Sequence, residues 1–165
     1  MKFNLARALS LATFALVLGL QPLQAAEEWK GEPLPTNLSF SAMAGAGVIG
    51  GTVGFGLTGA IAIKIAHEGF IPDINNQVFL EFQGGPLFLS PSAAAMYGLF
   101  MRWDFHKNED FSLYSLGGFG GTINPTRVYP RVALGLIYRL SGDFALRAEV
   151  SHEFIGAGLA IDFSL

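Results

Sequence analysis

The last third of the chain, residues 131–165, alternates large apolar residues with small or charged ones. Val132, Leu134, Leu136, Tyr138 and Leu140 share one parity; Arg131, Ala133, Gly135, Ile137 and Arg139 share the other. The pattern resumes as Phe144, Leu146, Ala148 and Val150 against Ala145, Arg147, Glu149 and Ser151. It ends as Ala157, Leu159, Ile161 and Phe163 against Gly158, Ala160 and Asp162. Strand side chains point alternately to two faces, so each segment has one apolar face and one small or polar face. A soluble sandwich and a membrane barrel both satisfy that pattern.

Composition favours the membrane. The chain is 51% hydrophobic and 14% charged, with a mean hydropathy of +0.43. An exported globule needs more charge on its surface than that. Glycine (21 residues) and phenylalanine (15) are abundant, which suits closely packed strands bearing aromatic girdles. There is no cysteine, so stability must come from something other than disulfides. Lys2 and Arg7, the apolar run Leu9–Leu20, Pro22 and Leu23-Gln24-Ala25 read as a signal peptide over residues 1–25. Residues 26–37, with two prolines, read as a periplasmic tail or linker. Residues 38–165 then form one domain.

Turn residues recur at regular spacing and divide that domain into eight expected strands, near 38–48, 54–66, 77–89, 93–105, 111–120, 131–140, 144–152 and 156–164. The fold class is all-β, an antiparallel meander. One stretch admits another reading. Ala42 to Ile63 carries no charge over 22 residues, enough for a transmembrane helix. It also holds Gly47-x-x-x-Gly51 and Gly50-x-x-x-Gly54, the spacing of packed membrane helices. Against the helix stand its seven glycines, each costing up to about 1 kcal/mol relative to alanine.

In hydrocarbon only helices and closed barrels satisfy every backbone N–H and C=O. Eight strands of about ten residues suit a small barrel. The sequence resembles the small outer-membrane barrels of Gram-negative bacteria, the OmpA-transmembrane-domain and OmpX-like class. The sharpest match is Gly158-Leu159-Ala160-Ile161-Asp162-Phe163, similar to the family's C-terminal assembly signal, with Gly158, Ile161 and Phe163 as its marked positions. Here the chain runs on through Ser164 and Leu165. The resemblance implies an outer-membrane location, with outer-membrane lipids and the barrel-assembly machinery as partners. It also implies both termini on the periplasmic side, which leaves 121–130 as the one long outer connection.

Parity constrains register. If strands six and seven turn the same face to lipid, a three-residue loop Ser141-Gly142-Asp143 sets Arg131 opposite Glu153, Tyr138 opposite Leu146 and Gly135 opposite Glu149. A four-residue loop, Glu153 to Gly156, then sets Arg147 opposite Asp162 and Glu149 opposite Ala160. Directly opposed side chains interact, and an eight-stranded barrel is just wide enough for side chains to fill it. The expected interior charge network is Lys64, Glu81, Arg102, Asp104, Arg131, Arg139, Arg147, Glu149, Glu153 and Asp162. A one-residue slip puts Arg147 into lipid, at a cost of roughly 2–4 kcal/mol at the midplane. Trp103, Phe105, Tyr138, Phe144 and Phe163 fall near strand ends, as girdle residues do.

Little in the chain suggests chemistry. There is no Walker loop, dinucleotide fingerprint or zinc spacing, and no cofactor is expected. A net charge of −3 without a basic stripe argues against nucleic acid. His67 and His106 fall in expected turns. Ser151-His152-Glu153 has the residue types of lipid A-modifying barrel enzymes, in a different order and spacing. The leading expectation is a structural or interaction barrel with a plugged polar interior and no wide pore. A lipid hydrolase on the same barrel, a helical membrane protein and a soluble ligand-binding barrel are the alternatives.

Overall fold

The alternating segments become eight strands that pair in chain order and close on themselves. They are β1 (Leu38–Ile49), β2 (Thr52–Ala66), β3 (Asn76–Leu89), β4 (Ala93–His106), β5 (Phe111–Ile123), β6 (Arg127–Ser141), β7 (Phe144–Ser151) and β8 (Phe154–Phe163). This computed structural model describes residues 29–32, 34–90, 92–141 and 143–164. The signal peptide expected over 1–25 lies outside them. The alternative helix over 42–63 is replaced by β1 and β2, which meet at Gly50-Gly51. Both glycines have positive φ, 60° and 86°, as a two-residue hairpin turn of matching twist requires.

Most of the large apolar residues of the strands face outward. Leu134 is 64% exposed and Ile63 54%, while the inward positions beside them are buried or half-buried. Twelve residues, the length of β1, rising about 3.3 Å each and tilted by about 40°, span about 30 Å, the thickness of a hydrocarbon layer. Closure pairs the strand edges across that thickness, so the outer wall offers hydrocarbon only side chains it tolerates.

The two ends of the barrel differ. The near end carries both ends of the strand order and the connections 67–75, 107–110 and 142–143. The far end carries only 50–51, 90–92, 124–126 and 152–153. The long outer connection expected over 121–130 therefore does not form. Strand β5 continues to Ile123 and β6 starts at Arg127, pairing Thr122 with Arg127 and Phe119 with Pro130. Pro130, within that range, sits inside β6.

The inner wall is divided by size. Ser39, Ser41, Thr58, Ala60, Ala62, Gly156, Gly158 and Ala160 on β1, β2 and β8 are small. Phe79, Glu81, Phe100, Arg102, Tyr114, Arg131 and Arg147 on β3–β7 are large and buried. They fill the space the small wall leaves. An apolar cluster of Met43, Leu87, Leu89, Ala94, Met96 and Phe154 closes the far end on one side.

Gly158 lies at the closing seam opposite Met43, and a Cβ there collides with the Ala42 carbonyl oxygen and Met43 Cα. Gly117 has nothing within 4 Å of its would-be Cβ. We expect Gly158→Ala to lower stability by about 1–3 kcal/mol and Gly117→Ala to change it by no more than about 0.5 kcal/mol. Urea unfolding of the two variants in detergent, side by side, checks the contrast; equal midpoints contradict it.

Candidate functional site: an ionic core inside the barrel

The inward parity of β3, β4, β6 and β7 delivers alternating carboxylates, amides and guanidinium groups to one level of the lumen. Glu81 on β3 lies between two cations. Its Oε2 is 2.8 Å from Arg102 Nη1, and its Oε1 is 2.6 Å from Arg147 Nη2. Arg147 also donates to Glu149 Oε2 at 2.8 Å and, past β8, to Ser41 Oγ on β1 at 3.0 Å. Arg102 forms a two-point contact with Asp104 at 2.8 and 3.0 Å. Arg131 donates to Glu149 Oε1 at 2.8 Å and to Gln83 Oε1 at 2.9 Å. Its Nε sits 3.0 Å from Glu153 Oε1, close enough for ion pairing but off the line of a hydrogen bond.

Neutral groups complete the set. The Gln83 amide donates to both Glu81 Oε1 (2.8 Å) and Glu149 Oε2 (2.9 Å), tying the two carboxylates together. Tyr114 OH accepts from Arg147 Nε at 2.9 Å and contacts Glu149 Oε2 at 3.1 Å. The guanidinium planes rest on aromatic rings, Arg102 on Phe79 at 4.4 Å, Arg131 on Phe100 at 5.1 Å and Arg147 on Tyr114 at 4.8 Å. Such contacts add attraction where water is excluded. Exposure is 0% for Glu81 and 1% for Arg102 and Arg147, so each charge depends on its partners rather than on solvent.

Sequence parity and the structure agree on β6 and β7, where Tyr138 faces Leu146 and Gly135 faces Glu149. They differ on β7 and β8. Arg147 lies opposite Gly158, not Asp162, and Glu149 opposite Gly156, not Ala160. The turn is shorter than expected, because Ser151 Oγ accepts from the backbone N–H of Phe154 at 3.0 Å and donates to its carbonyl at 3.2 Å. That contact lets β8 begin at Phe154. Asp162 meets Arg139 instead, at 3.3 Å near the near end. Lys64 stands apart from the ionic core. Its Nζ donates to the Leu34 carbonyl at 3.0 Å and meets His67 Nδ1 at 3.3 Å.

Gln83, Tyr114 and Ser41 complete the network without having been singled out in the sequence, although each has the inward parity of its strand. His106 ends β4 facing inward, 1% exposed, rather than lying in a turn. Its ring bonds Ser112 Oγ at 2.6 Å and Gln77 Oε1 at 3.2 Å. Ser151 is committed to its turn, and His152 packs edge-on against Tyr129 at 6.0 Å. The assembly-signal positions Ile161 and Phe163 face outward, and Gly158 inward. Phe163 packs on Phe40, and Trp103 on Phe105, as an outward aromatic band toward the near end. No group of three or more His, Asp or Glu side chains able to hold a metal occurs among the described residues.

No family model matches the chain, and no curated protein matches its sequence. Solved structures resemble it in shape. One comes from the de novo design of transmembrane β-barrels, with a TM-score of 0.57 and 17% identity, covering 81% of this chain and all of that one. The de novo designed TMB2.3 gives 0.53 and 16% identity, over 79% and 96%. The outer-membrane protein Ail of Yersinia pestis gives 0.46 and 15% identity, over 76% and 97%. The fold is that of a small eight-stranded transmembrane β-barrel.

Removing one member of a buried ion pair strands the other, a loss of about 3–5 kcal/mol. Arg147→Leu is therefore expected to destabilise the barrel strongly. Glu81→Leu with Arg147→Leu is expected to cost less than the two single changes added together. A double-mutant cycle by denaturant unfolding measures this; additive changes disprove the coupling.

Proposed function

We propose that this chain is an outer-membrane β-barrel with a structural or interaction role in the envelope. Residues 1–25 are its signal peptide, the near end faces the periplasm, and residues 38–165 are the barrel unit. Outer-membrane lipids cover its wall. The barrel-assembly machinery receives it through the segment holding Gly158, Ile161 and Phe163. The barrel acts without a cofactor and without nucleic acid. Its lumen is plugged and offers no wide pore.

The observation that carries this reading is the reach of Arg147. From β7 its side chain bonds Glu81 on β3 and Ser41 on β1, so one residue bridges the lumen. A solute path of useful width needs that bridge broken, at the cost of leaving buried charges unpaired. The turns of two or three residues at the far end leave little surface there for a partner. Interaction then falls to the outward wall or to the near end.

Planar-bilayer recording of the refolded full chain tests the plug. We expect no steady open-channel steps, whereas a persistent conductance overturns it. The same preparation is expected to shift its gel mobility on boiling, and the protein in cells to fractionate with outer membrane. Recovery as a soluble periplasmic protein refutes the placement.

A further inference from the structure

At the near end, the segment Leu34–Asn37 lies against β2, β3 and β8. The Asn37 N–H donates to the Phe163 carbonyl at 2.8 Å, and the Asn37 carbonyl accepts from the Lys64 N–H at 2.9 Å. The Leu34 carbonyl accepts twice, from Gln77 Nε2 at 2.6 Å and from Lys64 Nζ at 3.0 Å. Thr36 between them is buried, with 7% exposed.

Behind Gln77 runs a row of buried polar groups. Gln77 Oε1 meets His106 Nε2, His106 Nδ1 meets Ser112 Oγ, and Ser112 Oγ accepts from Arg139 Nη1 at 2.9 Å. The direction of every bond follows from the two ends. A carbonyl only accepts, so the Gln77 amide nitrogen faces Leu34 and its oxygen faces His106. That oxygen also only accepts, so His106 carries its proton on Nε2. A guanidinium only donates, so Ser112 takes one bond from Arg139. The Ser112 hydroxyl is wholly buried, and His106 Nδ1 is there to receive its proton. The ring is thus neutral and in one tautomer, and the row conducts hydrogen bonding one way, from Arg139 to Leu34.

Arg139 is the outer member of this row. It lines a cavity of about 1310 Å³ at the near mouth, together with Leu34, Thr36 and Asp162. Its own bonds go to Ser112, to the Glu109 carbonyl and to Asp162.

We propose that Leu34–Asn37 is a strap closed over the near mouth, latched by the one-way row Arg139–Ser112–His106–Gln77. Ser112 and His106, whose side-chain bonds run along the row, then set how firmly the strap is held. A contact in the mouth that draws Arg139 away from Ser112 loosens the strap at the opposite end of the row. This does not depend on the membrane assignment or on the plugged lumen.

The chain has no cysteine, so a single Thr36→Cys reporter gives a clean readout in the full-length barrel folded in detergent. Its rate of labelling by a water-soluble maleimide measures strap opening, and the heat-induced gel shift verifies folding. We expect slow labelling in Thr36→Cys alone and fast labelling at an exposed Asp143→Cys control. Adding Ser112→Ala or Gln77→Leu is expected to speed Thr36→Cys labelling at least about five-fold, the change given by losing one hydrogen bond of about 1 kcal/mol. His152→Ala at the far turn is expected to leave it unchanged. Thr36→Cys labelling as fast as Asp143→Cys disproves the closed strap. An unchanged rate in folded Ser112→Ala disproves the latch.

Discussion

Closure between β1 and β8 is the constraint on which the rest of this barrel depends. An open edge leaves a column of N–H and C=O groups facing hydrocarbon, each costing several kcal/mol. The ladder from Leu38–Phe163 to Gly47–Phe154 removes that edge. It brings backbones so close that Gly158 has no room for a Cβ beside Ala42 and Met43. Small residues are therefore required along the seam, and small residues leave space. The large side chains of β3–β7 occupy it. Contact between Arg147 and Ser41 is thus a consequence of how the sheet closes.

The middle of the filling is ionic, with apolar side chains packed around it, because the outer wall takes up most of the large apolar residues. With the lipid face built from Leu, Ile, Val and Phe, the remaining parity carries whatever polar groups the chain holds. Three guanidinium groups meet Glu81, Asp104, Glu149 and Glu153 in one connected set. Buried pairs contribute little net stability compared with well-packed apolar residues. Their effect here is on uniqueness. A slip of one residue in any of these strands moves a charge into lipid and leaves its partners unpaired, so the network penalises alternative registers far more than it stabilises the native one.

Much of this was legible in the sequence, and the reason is the solvent. Lipid imposes a strict parity, so the inward and outward faces of β2, β4, β6 and β8 can be read from residue type alone. The pairing of Tyr138 with Leu146 follows from parity plus one short loop. Parity says only whether a loop is odd or even, however. Both the expected and the observed β7–β8 registers keep Phe163 and Leu159 outward, and the hydroxyl of Ser151 decides between them. Contacts across the lumen were out of reach for a different reason. Glu81 and Arg147 lie on non-adjacent strands, and which strands face each other depends on barrel curvature. The stretch 121–130 differs in the other direction: read as a loop, it forms a hairpin end with only 124–126 as its turn. Pro130 lacks an N–H, yet it is accommodated on the outward face of β6 opposite Phe119.

The outward wall has one more consequence, for how such a molecule changes over time. A lipid-facing position asks only that its side chain be apolar, so Leu, Ile, Val and Phe are nearly interchangeable there. About half the strand positions therefore hold very little sequence memory. What the fold requires is the rhythm of alternation, the few glycines that let backbones touch, and a set of inner charges that depend on one another. A barrel of this kind tolerates wide change in its letters while keeping its shape, so a designed barrel shares the architecture at 17% identity.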